Sequence, residues 1–194
     1  MGLTAPVFLV ICVVMTEAMT FSTTAPVILT FHKVQAGKRR AGGMAMGGVT
    51  AAAIAGRTVV AWLMPVGADR RLIACGSDLV QIAGSITLVI AGGTSVPLLL
   101  AGTLLFGAGI GNATSLPPLI APVEFVKDDV PRVVPLIIAI AQASYAFAPA
   151  AFGLIRQFAP QAAAASGGAA ACVFVAAALV QALAVSAFLV GRAR

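Results

Sequence analysis

Apolar residues run through this chain in long blocks, and short charged clusters separate them. Residues 1–31 carry one charge, Glu17; 41–68 carry one, Arg57; 72–123 carry one, Asp78; 133–155 and 157–191 carry none. A helix crossing a bilayer needs about 20 predominantly apolar residues. The longest blocks therefore divide, and turn signals show where. Gly92-Gly93-Thr94-Ser95 with Pro97 cuts one block, and the stretch from Pro160 to Gly168 cuts another. The pattern predicts six helices, at about 5–31, 42–66, 72–91, 97–121, 133–157 and 168–190. The expected fold is an all-α transmembrane six-helix bundle that occupies residues 1–194 as a single domain.

Composition agrees with this pattern. Only 9% of the 194 residues are charged and 60% are hydrophobic, whereas a soluble domain carries roughly 25% charged residues. Too few charges remain to cover a soluble surface, so the chain reads as a multi-pass integral membrane protein with the lipid bilayer as its first partner. The net charge of +6 invites a nucleic-acid reading. However, half of the basic residues lie in two clusters, Lys33/Lys38/Arg39/Arg40 and Arg70/Arg71, that flank apolar spans, as membrane-flanking charges do. Nucleic acid is not an expected partner. The first span is no signal peptide, because it lacks a basic start, exceeds the usual apolar length and contains Glu17. Cys12, Cys75 and Cys172 form no CxxC pair and read as unpaired apolar packing.

Ionisable and polar groups within spans are the candidate site residues, because such groups normally face a cavity or a partner. Glu17 shares a helical face with Thr20 and Thr24, widened by Thr16 and Thr23. It reads either as a cavity carboxylate for a proton, cation or cationic substrate, or as a structural group bonded to its threonines. Arg57 faces an anion or pairs with Asp69 or Asp78. Asp78 and Gln81 share a face early in the third span and read as packing or gating groups. The fourth span offers Asn112 and Ser115, and the fifth offers Gln142, Tyr145 and Pro149 at i, i+3, i+7. The sixth span has only Gln181 and Ser186 as polar residues, which suits an outer, supporting helix. No metal or other cofactor is expected, and no enzyme: the single histidine, His32, stands without an HExxH or GxSxG sequence.

The stretch GAGIGNATSLPPLIAP (107–122) needs separate treatment. Gly107, Gly109 and Gly111 nearly spell a dinucleotide fingerprint, but Asn112 stands where its third glycine belongs. The run instead continues the apolar segment LLLAGTLLF as one span. Thr103, Gly107, Gly111 and Ser115 form a series of small residues suited to close helix packing, and Pro117 and Pro118 supply a bend. A faint copy lies in the first span. Aligning FSTTAPVILT (21–30) with ATSLPPLIAP (113–122) sets Ser22-Thr23 opposite Thr114-Ser115 and Pro26 opposite Pro118. These are the first spans of two three-helix sets, repeat one about 1–91 and repeat two about 92–194. Three helices per set make the second set inverted, a common plan in secondary transporters, where proline-interrupted helices such as those at Pro26 and Pro118 mark the substrate path.

At this point the chain resembles the C-terminal six-helix half of a major facilitator superfamily transporter, over essentially its whole length. The resemblance rests on the two triplets and on AGRTVVAWLMPVGADRRL (55–72), where Asp69-Arg70-Arg71 matches the acidic–basic core of that family's loop after the second helix of each half. Pro65 stands where the family's leading glycine is expected, and the glycine between the basic residues is missing. GNATSLPPLIAPVEF and AQASYAFAPAAFGLIR also look like the tenth and eleventh helices of some bacterial members. The resemblance implies a permease that moves an unidentified small solute by alternating access in a bacterial cytoplasmic membrane. Its cavity would be lined by the first, second, fourth and fifth spans, with Asp69, Arg70 and Arg71 as a cytoplasmic gating loop. It also implies a second six-helix half, absent from this chain and supplied by truncated sequence, a separate chain or a homodimer. The alternative is a non-transporting assembly partner or an inactive remnant. Positive charges divide six against five between the two sides and do not fix orientation; the family loop puts 67–71 in the cytoplasm. A cysteine replacing Lys38 is then expected to react with an impermeant thiol reagent added outside, and labelling from the cytoplasmic side alone overturns the orientation.

Overall fold

The computed structural model describes residues 39–65, 67–92, 95–113, 116–158 and 168–192, and every regular element among them is a helix. They are α1 (Arg39–Leu63), α2 (Arg70–Ala91), α3 (Val96–Ala113), α4 (Leu116–Glu124), α5 (Val130–Gln157) and α6 (Gly168–Arg192). The expected spans at 42–66, 72–91, 133–157 and 168–190 correspond to α1, α2, α5 and α6 with ends shifted by a few residues. The expected span at 97–121 takes in α3 and α4, and residues 114–115 between them lie outside the described residues. Pro117 and Pro118 belong to α4. The span expected at 5–31 and its echo of the fourth span lie outside the described residues.

Local chemistry explains the helix ends. Asp69 caps α2, its Oδ1 accepting from the Arg71 N–H at 3.0 Å. Gly92 closes α2 in the left-handed region at φ 54°, with its N–H bonded to the Val89 carbonyl at 3.1 Å. Pro131, near the start of α5, has its φ preset for a helix.

The helices pack in the order α1, α3, α2, α6, with α5 reaching α6 and α4. Four apolar clusters tie them. Leu88 and Ala91 meet Leu99 and Phe174; Ala74 and Cys75 meet Leu116 and Phe188; Ala121 meets Ile137; Phe152 meets Val173 and Ala177. Cys75 and Cys172 are both free thiols, in line with the expectation of unpaired packing cysteines. The sixth helix packs one face along α2, burying Gln181 completely, and leaves Leu179, Leu183 and Val190 of its other face exposed.

The glycine run of α3 decides the tightest seams. A Cβ at Gly107 would lie 2.8 Å from the Val49 carbonyl oxygen, and one at Gly111 would lie 2.0 Å from that of Ala53, both on α1. A Cβ at Gly109 would lie 2.3 Å from Gln81 Cγ and 2.7 Å from the Ser77 carbonyl oxygen, on α2. Alternate glycines thus admit two different neighbours. Gly56 on α1 and Gly84 on α2 answer from the other side, with a Cβ at 2.3 Å from the Ala108 oxygen and 2.7 Å from the Phe106 nitrogen.

Two helices, Arg70–Ala91 and Ala171–Val190, are long and apolar enough to cross a membrane. Large apolar side chains also face outward, among them Trp62 (85% exposed), Phe158 and Phe147. The packing yields a direct stability test. Gly111→Ala is expected to destabilise the purified protein by about 1–3 kcal/mol through overpacking. Gly76→Ala, with nothing within 4 Å of its new Cβ, is expected to raise stability by about 1 kcal/mol from helix propensity. Thermal unfolding in detergent reads both.

Candidate functional site

The seam between α1 and α3 brings two sequence-predicted residues together. Arg57, in the third quarter of α1, donates from Nε to the Gly111 carbonyl at 2.9 Å. Asn112, the next residue on α3, is buried and reaches back from Nδ2 to the Gly56 carbonyl at 3.5 Å. The pair is reciprocal, since residues 56–57 and 111–112 exchange side-chain-to-backbone bonds. The glycines make it possible: without Cβ atoms at 56 and 111, each side chain reaches the carbonyl of the facing helix. Arg57 had two expected partners, an anion or a carboxylate; the geometry adds a backbone carbonyl, a strong charge-assisted acceptor.

A second site lies at the loop joining α1 to α2. Gly67, at φ 89°, and the Ala68 N–H bonded to the Pro65 carbonyl at 3.0 Å turn the chain. Asp69 then caps α2, and Arg70 leaves the helix start to donate from Nη1 to the Leu119 carbonyl of α4. Of the expected gating residues, Asp69 thus holds its own loop, and Arg70 ties that loop to the second half of the chain. Arg71 supplies the N–H that Asp69 accepts.

The most deeply buried polar groups are elsewhere. On α2, Ser77, Asp78, Gln81 and Ser85 are buried, and Gln181 on α6 donates from Nε2 to Gln81 Oε1 at 3.0 Å. Gln81 and Gln181 are both 0% exposed. The resemblance puts polar lining on the first, second, fourth and fifth spans; these groups are on the third and sixth. Asp78 and Gln81 are among the sequence-predicted residues; Ser77 and Ser85 are not. The spacing 77, 81, 85 was a legible i, i+4, i+8 stripe. Its partner Gln181 stands 100 residues away, and no local pattern announces it.

The remaining predicted residues are not gathered. Gln142 is exposed on α5. Tyr145 and Pro149 belong to α5, and Pro117 and Pro118 to α4, with side chains outside the description. Glu17, Thr20, Thr24, Pro26 and Ser115 lie outside the described residues. No family model, curated protein or solved structure matches the chain.

The cap offers the sharpest local test. Asp69→Ala is expected to lower stability by about 0.5–2 kcal/mol, while Asp69→Asn, itself a good cap, retains most of it. Chemical unfolding of the two variants beside the parent separates them.

Proposed function

We propose that this chain is a multi-pass membrane protein and forms the C-terminal half of a major facilitator type secondary transporter, which moves a small solute by alternating access. The outward-facing Trp62, Phe147 and Phe158, together with the two long apolar helices, support a lipid-covered exterior. The observation that carries the transport reading is the bond from Arg70 to the Leu119 carbonyl. It joins the loop between the second and third expected spans to the opposite triplet, and it is solvent-exposed. A single exposed bond of this kind contributes modestly and breaks readily, as a latch that opens and closes with rocking must. Asp69, Arg70 and Arg71 then form the cytoplasmic gate. Arg57 with Asn112 stiffens the cavity helices, and Glu17 is the titrating or substrate-facing carboxylate. A second six-helix bundle, from a separate chain, a homodimer or the missing half of a longer protein, completes the path.

One observation favours a second reading, a non-transporting assembly partner or inactive remnant. The backbone-close glycine seams and the Gln81–Gln181 bond use small and polar residues as packing, as helix-associating membrane proteins do. Reconstitution into proteoliposomes separates the readings. The complete transporter, with this chain and its second half, is expected to show proton-coupled uptake that Glu17→Gln abolishes and Arg70→Ala reduces. Uptake that survives Glu17→Gln removes that residue from the mechanism. A folded chain that moves nothing, alone or with each candidate partner, supports the second reading.

A further inference from the structure

Three buried polar atoms, two on α2 and one on α6, have no hydrogen-bond partner among the described residues: Gln81 Nε2, Ser85 Oγ and Gln181 Oε1. All three residues are 0% exposed. The two carboxamides cannot satisfy each other through their single bond. Flipping both exchanges their roles and again leaves one donor and one acceptor over, and flipping one sets like against like. Ser85 is equally unusual. Five other helical hydroxyls, on Thr58, Ser77, Thr87, Thr103 and Ser186, donate to the carbonyl four residues earlier. Ser85 does not, although its helix offers the same carbonyl. A buried polar group left unmade costs on the order of 1–3 kcal/mol, so three together call for a group that both donates and accepts.

We propose that the α2–α6 seam is an internal water site. The water accepts from Gln81 Nε2, donates to Gln181 Oε1 and bonds Ser85 Oγ, which gives it the two to four polar partners a buried water requires. Asp78, Gln81 and Ser85 stand at i, i+3, i+7 on α2 and share one stripe. Gly109 on α3 closes the stripe from its other flank, its missing Cβ making room for the Gln81 stem. The site lies on the third and sixth expected spans, apart from Glu17 and Arg57. The inference rests on the membrane part of the functional reading and not on transport.

The test uses the full chain in lipid vesicles. Flotation with the vesicles reports the membrane reading separately, whatever the seam does. Hydrogen exchange on the unmodified chain decides the water site. The side-chain amide protons of Gln81 and Gln181 are expected to exchange with deuterium well before the backbone amide of Leu88, and retention for as long as that amide sinks the proposal.

Discussion

At its glycines the backbone of α3 comes close to α1 and α2, and this close approach governs the rest of the structure. Gly107 and Gly111 face Val49 and Ala53 on one flank, while Gly109 faces Ser77 and Gln81 on the other. An alternating run of glycine presents a bare backbone in two directions because successive odd positions step round the helix by roughly 200°. Dispersion contacts between backbones then take over the role of interlocking side chains, as small-residue seams allow in apolar surroundings. The register of α1 on α3 is thereby fixed closely enough for Arg57 and Asn112 to exchange bonds with the carbonyls of Gly111 and Gly56.

Close approach has a second consequence. Helices this near leave little room between them for polar side chains except where partners stand opposite. Gln81 finds Gln181 across the α2–α6 seam, and Arg57 finds a carbonyl across the α1–α3 seam. One set of polar groups, Arg57 with Asn112 and Gln81 with Gln181, binds one helix to the next. Another, at the Asp69–Arg71 loop, is exposed and ties α2 to α4 through a bond that is easily broken. A rigid interior beside a releasable surface link is the division of labour that a rocking bundle needs. The same rigid interior also suits a protein that only assembles with others, and for that reason the two functional readings differ in what Glu17 and the loop do, not in how the helices pack.

Much of the architecture is legible in the sequence. Charge spacing and turn signals together place α1, α2, α5 and α6 within a few residues. The cap at Asp69 and the stop at Gly92 follow from local chemistry that any unfolded peptide would already carry.

The sequence by itself determined that the chain is helical, where most of its helices begin and end, and that its glycine run is no phosphate loop. It also marked Arg57, Asn112 and Asp69–Arg71 as worth following. Only the tertiary structure decided that Gly107, Gly109 and Gly111 serve two neighbours, that Arg57 bonds to a carbonyl, and that Gln181 of the sixth helix meets Gln81. The physical reason is range. Periodicity and capping act within a turn or two of one helix, whereas which faces meet depends on steric fit between segments up to 100 residues apart.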